Sequence, residues 1–438
     1  MPSPFVARKT NPSSLKKKLQ TILAAITGVF LLGGWAFTTV PALFNYSSYL
    51  VHHQIAHVSH KLNYYMSGHT FYDDPDFSYS ITDPLKDWDQ KRAAWLKEHP
   101  QFASRGANRV LLVTGSQPWR CESNLGDFLL LRLFKNKVDY CRIQGYEIFY
   151  NNAFLETKMD DHWAKPAAIR ASMLAHPDKE WIWWVDSDAV FTDMEFRLPL
   201  DKYKNYNLVV NGWPDLIKER SWLGLNTGVL LFRNCQWTLD LLSAWASMSQ
   251  LSPDYDKWGQ IFKATFKDRD EARSSDQTAM VYLVLKHNDT WGDKIYYEDE
   301  YCFQCYWVKS IRKIKQARNV YVEMEKNVSE FRRRHAEVAT QGYGALRNKF
   351  LEQGGYGKHT GRRPFITHFV GCSPCSGNNN VNYSGQDCVQ GLELALNTGD
   401  NQVLRNFGYV RHQPGNITSW VFPLPFDEPA EINVNLPN

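Results

Sequence analysis

The chain has 438 residues, more than a typical single domain, and 43% of them are apolar, which is enough to bury a large core. Its formal net charge of +4 depends on six basic residues that precede the first acidic residue, Asp73; without them, 44 basic side chains stand against 46 acidic ones. A bulk so close to neutral argues against a nucleic-acid-binding protein.

Residues 21–41 form an uncharged, mostly apolar stretch that is long enough to span a bilayer. Residues 1–20 carry five basic side chains, and the next basic residue is Lys61, so the positive-inside rule places the N-terminal tail in the cytosol. We predict an uncleaved signal anchor, with the rest of the chain in the lumen of a secretory compartment. A cleaved signal peptide is the alternative, although its apolar core is usually shorter.

The sequence beyond this span suits an oxidising, glycosylating compartment. All eight cysteines lie there, and so do the Asn-x-Ser/Thr acceptor sites at Asn45, Asn288, Asn327, Asn382 and Asn416. Two Cys-x-x-Cys pairs also suit zinc, but they lie far apart without a ribbon-like turn, so we predict disulfides. The pairing stays open, and Cys121 and Cys141, which flank one predicted helix, are one candidate pair.

Residues 42–105 have the character of a stem. Its histidines at positions 52, 53, 57 and 60 suit the polar face of a short juxtamembrane helix better than a metal site. Residues 71–84 are rich in Asp and Pro, which predicts an extended segment. Asp83 can then cap a helix that runs to His99.

Strands and helices alternate in residues 106–420, which predicts an α/β sheet. The expected strands are 110–114, 146–150, 181–186 and 226–233, and the expected helices are 126–144, 163–175 and 278–286. We expect residues 251–273 to be an exposed connection and residues 312–363 to be a solvated or flexible insertion. Residues 421–438 form a C-terminal tail.

Polar residues follow two of the predicted strands. Asp186 and Asp188 end the Trp-rich strand, and alternation places residues i and i+2 on one side of an extended segment. Such oxygen ligands suit Mg²⁺ or Mn²⁺ bound to a diphosphate. Gly115 and Ser116 follow the first strand, and ligands of α/β sheets bind at this edge. A solvated turn would also account for a bare Asp-x-Asp.

Two later features have ordinary structural explanations. Asp276 and Gln277 are favourable first-turn residues of the helix that Ser274 and Ser275 precede. His368 lies in an apolar strand, where a hydrogen-bonded core histidine is the usual finding.

Together these segments resemble glycosyltransferase family 34, the plant and fungal enzymes that include xyloglucan xylosyltransferases and galactomannan galactosyltransferases. The resemblance covers residues 108–412 and rests on ordered blocks at Leu112–Gln117, Asn136–Cys141, Trp183–Met194, Gly224–Gly228, Ser275–Tyr282, Thr367–Cys372 and Gly399–Gln402. It implies a GT-A fold, a Rossmann-like mixed sheet flanked by helices, with a UDP-sugar donor, Mn²⁺ and retention of anomeric configuration.

The resemblance also implies roles for single residues. The matching positions are Asp186, Asp188 and His368 for Mn²⁺, Gly115, Ser116, Lys165 and Asp186 for the nucleotide, and Asp276 and Gln277 for the catalytic, sugar side. One position departs from the family pattern. The xylosyltransferases have Lys where this chain has Ser373, and that Lys approaches the diphosphate.

We therefore expect transfer of galactose from UDP-galactose to O6 of mannosyl residues in a β-1,4-mannan backbone. Two other functions remain open: a xyloglucan α-1,6-xylosyltransferase that uses UDP-xylose, and a catalytically weak scaffold partner. The expected location is the Golgi membrane, as a single-pass type II protein with its catalytic domain in the lumen. Homo- or hetero-oligomers with other Golgi glycosyltransferases are the expected protein partners.

Overall fold

The computed structural model describes residues 70–103, 109–159, 161–332, 337–356, 361–411 and 421–424. The predicted cytosolic tail, the predicted anchor, the stem up to residue 69 and residues 425–438 lie outside these ranges, as do Asn45 and Asn416. Among the residues that are described, no helix is long and apolar enough to cross a membrane.

The chain divides into two units between Asp74 and Pro75. Of the first unit, residues 70–74 are described, and they form a short 3₁₀ turn, Phe71–Asp73, which the Thr70 side chain caps. The second unit begins about thirty residues before the domain boundary that the sequence suggested, so part of the predicted stem belongs to it.

The α-helices and strands of the described residues belong to the second unit. The helices are, in chain order, α1 (Trp88–Glu98), α2 (Asn124–Gln144), α3 (Ala164–Ala175), α4 (Pro214–Lys218), α5 (Gln236–Ala246), α6 (Tyr255–Thr265), α7 (Asp276–Lys286), α8 (Asn288–Trp291), α9 (Trp307–Asn327), α10 (Ser329–Arg332), α11 (Thr340–Gln353) and α12 (Gly385–Asn406). The strands are β1 (Val110–Gly115), β2 (Glu147–Asn151), β3 (Trp181–Val185), β4 (Ala189–Phe191), β5 (Leu208–Gly212), β6 (Leu225–Arg233), β7 (Ile295–Tyr297), β8 (Cys305–Tyr306), β9 (Ile366–His368), β10 (Tyr409–Val410) and β11 (Phe422–Pro423).

The central sheet is mixed, which confirms the α/β class. In the described part of the chain its strands lie in the order β2-β1-β3-β6-β5-β7. Strand β6 is antiparallel to both of its neighbours, and the remaining pairs are parallel. The carboxyl ends of β1, β3 and β5 therefore lie at the same edge as the start of β6.

Strand β3 lies at the centre of this sheet, and all five of its residues are buried. Its Trp183 indole packs edge-on against Phe191, whose ring is stacked on Tyr140 with centroids 3.9 Å apart. A continuous apolar run is what a strand covered on both faces requires. The strand ends at Val185, so Asp186 follows it directly at the carboxyl edge of the sheet.

A second sheet places His368 beside the acids. In the described residues its order is β4-β9-β8, with β4 antiparallel and β8 parallel to β9. The register pairs His368 with Ala189 on one side and with Tyr306 on the other. Since Ala189 directly follows Asp188, this pairing brings the imidazole to the Asp-x-Asp turn.

Several sequence-based expectations need correction. Helix α1 begins at Trp88 with Asp87 at its N-cap, so Asp83 does not cap it. Residues 251–273 are not a plain connection, because they contain α6, whose Phe262 is fully buried.

Residues 312–363 are not a solvated insertion, since they contain most of α9 and all of α11. Their charged composition was misleading because Glu325 is buried and pairs with Arg347 and Arg405 inside the molecule. An apolar cluster that includes Tyr321 and Leu351 completes the packing of these helices.

The cysteines confirm the preference for disulfides over zinc. The bonds are Cys121–Cys375, Cys302–Cys305 and Cys372–Cys388. The suggested Cys121–Cys141 pair is wrong, because Cys141 is a buried free thiol. The Cys121–Cys375 bond ties the loop after β1 to the loop after β9, 254 positions later in the chain. No local spacing of cysteines could have indicated this pair.

We expect Trp88 to be required for the stability of the catalytic unit. Its side chain is fully buried, and its indole Nε1 donates to Asn234 Oδ1 at 2.8 Å. Trp88→Ala should lower the free energy of unfolding by about 3–5 kcal/mol, and Trp88→Phe by less. The matched control is Trp119→Ala, since Trp119 is 62% exposed and should change stability by about 0.5 kcal/mol or less. Equal losses in denaturant unfolding of Trp88→Ala and Trp119→Ala would contradict the placement of α1.

Candidate active site

The candidate site lies at the edge where β3 ends and β6 begins. The backbone N–H of Asp186 donates to the carbonyl oxygen of Gly228 at 2.8 Å. The N–H of Ala189 then donates to the carbonyl oxygen of Asp186 at 3.1 Å, which closes the Asp-x-Asp turn. The strand order thus fixes the backbone from which both carboxylates project.

Asp186, Asp188 and His368 form one cluster whose possible ligand atoms all lie within 4.8 Å of one another. His368 Nε2 is 3.0 Å from Asp188 Oδ1 and 3.7 Å from Asp186 Oδ2. Each acid side chain is 22% exposed, whereas the imidazole is 5% exposed. Two carboxylates and one imidazole are a donor set that suits Mn²⁺, so the residues fit the cation that the family resemblance implied.

Gly228 provides the space that His368 occupies. A Cβ atom at position 228 would lie 2.2 Å from His368 Cε1. A contact this short is impossible for a real side chain, and both groups are held in sheets. The close approach of the histidine ring therefore explains why position 228, the last of the Gly224–Gly228 block, is a glycine.

Lys165 joins two of the acids through a buried ion pair. Its Nζ is 2.8 Å from Asp276 Oδ2 and 3.2 Å from the Asp186 carboxylate. Thr227 Oγ1 also donates to Asp276 Oδ2 at 2.7 Å. Lys165 and Asp276 are each less than a tenth exposed, so their ion pair is shielded from bulk water.

The pKa directions reflect this pairing. Burial alone would lower the pKa of Lys165, but the two acids outweigh it and raise that pKa above its ordinary value. Burial would raise the pKa of Asp276, and the Lys165 charge outweighs it and lowers that pKa. Asp276 is thus an ionised carboxylate committed to Lys165 and Thr227, which makes it a weak proton acceptor.

The two acids of the cluster also change the basicity of its histidine. Burial would lower the pKa of His368, but Asp188 outweighs it and raises that pKa above 6.5. Burial would likewise raise the pKa of Asp188, and His368 outweighs it and lowers that pKa. Burial raises the pKa of Asp186, against the opposing charges of Lys165 and His368.

Lys137 supports the Asp-x-Asp turn from behind and was not predicted. It is 1% exposed, and its Nζ donates to the carbonyl oxygens of Ser187 and Ala189, both at 2.8 Å. Burial lowers the pKa of Lys137 to about 8, against the opposing charges of Asp188 and Asp186. A signal was present in the sequence: Lys137 lies on the face of α2 that carries apolar residues four positions before and three after it.

Gly115 and Ser116 lie at the carboxyl end of β1, as predicted. A Cβ at Gly115 would lie 2.1 Å from the carbonyl oxygen of Asn151, so close packing against β2 explains this glycine. The Ser116 hydroxyl is 2.6 Å from the Tyr150 hydroxyl. Both residues sit at the correct edge, and the contacts described for them are with the β2 end rather than with the acids.

The contacts described for Gln277 and Ser373 lie outside the cluster of Asp186, Asp188 and His368. Gln277 is in the first turn of α7, and its Nε2 donates to the Trp222 carbonyl at 3.3 Å. The Ser373 backbone N–H donates to Asn379 Oδ1 at 2.9 Å. Disulfides at Cys372 and Cys375 hold this loop, which meets the loop after β1.

Comparison with known proteins identifies the family. The model of the galactosyl transferase GMA12/MNN10 family, glycosyltransferase family 34, matches residues 106–379. The chain belongs to this family. It is 52% identical over 363 residues to "Galactomannan galactosyltransferase 1" of Cyamopsis tetragonoloba, which covers 82% of each chain.

Two further relatives from Arabidopsis thaliana extend this result. "Glycosyltransferase 6" is 47% identical over 94% of this chain and 98% of its own length. "Probable xyloglucan 6-xylosyltransferase 3" is 42% identical over 77% of this chain and 66% of its own length. The protein is therefore a glycosyltransferase, and its membership of the family leaves the choice of donor sugar open.

Removing Lys165 should leave the buried carboxylate of Asp276 and the partly buried carboxylate of Asp186 without their shared cation. We expect Lys165→Met to lower the free energy of unfolding by about 3–5 kcal/mol. Saturating Mn²⁺ should restore part of that loss, because a divalent cation at the cluster compensates Asp186.

The matched control is Lys267→Met, because Lys267 is 61% exposed and pairs with the equally exposed Glu219 at the surface. That substitution should cost less than about 1 kcal/mol. Denaturant unfolding of the wild type and of both variants, each with and without Mn²⁺, measures these losses. Similar losses for the two variants would contradict the buried ion pair.

Proposed function

We propose that this enzyme transfers galactose from UDP-galactose to O6 of mannosyl residues in a β-1,4-mannan backbone, with retention of anomeric configuration. The observation that carries the proposal is the identity of 52% to a relative named as a galactomannan galactosyltransferase, against 42% to one named as a probable xyloglucan xylosyltransferase. The xylosyltransferase remains the second candidate because that relative matches three quarters of the chain.

The acid and imidazole cluster supports a cation-dependent reaction. Asp186, Asp188 and His368 would hold Mn²⁺, which when bound would withdraw negative charge from the diphosphate of the donor. Gly115 and Ser116, at the same edge of the sheet, would lie along the nucleotide. An inactive scaffold partner has no need for these groups to converge, and this speaks against that alternative.

The buried ion pair limits which group takes the acceptor's proton. In the transfer, the bond from the sugar C1 to the diphosphate oxygen breaks, a bond from C1 to the acceptor O6 forms, and the O6 proton leaves. Asp276 is engaged by Lys165 and Thr227 and its pKa is lowered, so we assign the proton to the departing diphosphate. Asp276 would then hold Lys165 and Thr227 in position and would not take the proton. Gln277 would face the sugars.

An exposed aromatic side chain supports a carbohydrate acceptor. Trp213 follows β5 at the same edge of the sheet and is 51% exposed, so its ring is available to an apolar sugar face. Trp222 is less available because Arg269 lies 4.8 Å over its ring, and Trp307 is buried.

We also propose that the enzyme is a Golgi membrane protein anchored by residues 21–41, with a lumenal catalytic domain and other Golgi glycosyltransferases as partners. The three disulfides support an oxidising compartment. Asn288, Asn327 and Asn382 are exposed, as N-glycosylation sites must be.

Removal of a cluster residue should abolish metal-dependent donor binding. We expect Asp188→Ala and His368→Ala to lose Mn²⁺-dependent binding of UDP in calorimetry while they keep their helical content. Asp193→Asn is the matched control, since Asp193 is 9% exposed and lies outside the cluster. Wild-type UDP affinity in both cluster variants would overturn the assignment.

The choice of donor and acceptor decides between the two enzymatic functions. We expect UDP-galactose with manno-oligosaccharides to be the efficient pair. A pocket that hydrogen-bonds the C6 hydroxyl of galactose should reject xylose strongly, whereas the missing carbon alone discriminates only about 10- to 200-fold. A mass-detected transfer assay with both donors and with manno- and cello-oligosaccharides measures this. Efficient transfer from UDP-xylose to a cello-oligosaccharide would establish the xylosyltransferase instead.

A further inference from the structure

His368 presents its two ring nitrogens to different partners. Nε2 faces Asp188 and Asp186, whereas Nδ1 lies 2.6 Å from the side-chain amide of Gln304. Gln304 is 7% exposed, and its Nε2 also donates to Asn226 Oδ1. Its Oε1 is buried and has no hydrogen-bond partner in the described part of the chain.

The loop that carries Gln304 is held on several sides. Cys302 and Cys305 are joined by a disulfide that encloses Phe303 and Gln304, and Phe303 is fully buried. Strand β8 begins at Cys305 and pairs with β9, so Tyr306 lies beside His368. A short, closed loop of this kind fixes the distance from the Gln304 amide to the histidine ring.

Cation binding through Nε2 imposes a requirement on the other nitrogen. A neutral imidazole that gives the lone pair of Nε2 to a metal carries its proton on Nδ1, and that proton needs an acceptor. The side-chain amide of Gln304 lies 2.6 Å from Nδ1 and carries both a donor and an acceptor. With Oε1 toward Nδ1, the amide accepts that proton and leaves Nε2, which is 3.0 Å from Asp188 Oδ1, free for a cation.

A half-turn of the Gln304 amide exchanges its nitrogen and its oxygen in front of Nδ1. The oxygen and nitrogen of an amide have nearly the same size, so the turn needs no extra space. It places Oε1, which now lacks a partner, on the Nδ1 proton. Asn226 Oδ1, which also accepts from the Gly228 backbone N–H at 2.8 Å, must then move away from Oε1 or exchange places with its own amide nitrogen.

We propose that Gln304 is the positioning residue that selects the metal-binding tautomer of His368, with its carbonyl oxygen accepting the Nδ1 proton when a divalent cation is bound. Gln304 acts through His368 and does not touch the cation. The inference rests on the proposed metal role of His368, and the experiment separates the two claims.

The test measures the affinity of the full chain for Mn²⁺ alone, by calorimetry at a fixed pH. Gln304→Met removes the acceptor and should weaken Mn²⁺ binding about 10- to 100-fold. Gln304→Glu keeps an acceptor and should bind Mn²⁺ about tenfold more tightly than Gln304→Met, which a merely space-filling role would not produce. Equal affinities of wild type and Gln304→Met, or equal losses in both variants, would overturn the proposal.

Gln402→Met is the matched control. Gln402 is equally buried, at 7% exposed, and its amide donates to the Thr192 and Thr398 carbonyls away from the cluster. It should lower the unfolding temperature without changing the Mn²⁺ affinity. His368→Ala separates the two claims: unchanged Mn²⁺ affinity in that variant refutes the metal role itself, whereas unchanged affinity only in Gln304→Met refutes the role of Gln304.

A second measurement needs no Gln304 variant and remains decisive if Gln304→Glu does not fold. Protein labelled with ¹⁵N-histidine is titrated with diamagnetic Zn²⁺, and His368→Ala identifies the His368 signals. We expect Nδ1 of His368 to show a protonated ¹⁵N shift in the cation-bound protein. An unprotonated Nδ1 in the bound state would refute the proposal.

Discussion

Three carboxylates, those of Asp186, Asp188 and Asp276, converge at one edge of the central sheet, and the site depends on the groups that compensate them there. Carboxylates removed from water are destabilising unless opposite charge or hydrogen bonds compensate them. Lys165 lies between Asp186 and Asp276, and the imidazole of His368 faces Asp188. The negative charge that remains lies at the cluster of Asp186, Asp188 and His368, a donor set that suits a divalent cation.

The strand order makes this convergence possible. Because β6 runs against its neighbours, its first residues lie beside the last residues of β3, and Thr227 and Gly228 reach the acids from the partner strand. The small second sheet brings His368 from a distant part of the chain. Disulfides then fix the two loops that border the site, so the groups are held in place before any ligand arrives.

The sequence predicted what local patterns encode and missed what distant residues create. The buried strand that precedes Asp186 was readable from the chain. The two carboxylates do face one point, as expected, but a turn closed by the Ala189 N–H brings them together, not alternation along an extended strand. The Lys165–Asp276 ion pair was not, because 111 positions separate its members. Gln304 gave no signal, since it precedes a strand of two residues. Residues 312–363 were misjudged because buried ion pairs and solvated charges have the same composition.

Pulsed electron paramagnetic resonance of Mn²⁺ bound together with UDP detects the nuclei next to the cation, so it shows directly whether His368 is a ligand. We expect nitrogen modulation from one imidazole, which changes when histidine is labelled with ¹⁵N and disappears in His368→Ala protein loaded at high Mn²⁺. Bound Mn²⁺ without any histidine nitrogen signal in the wild type would contradict the cation site of Asp186, Asp188 and His368.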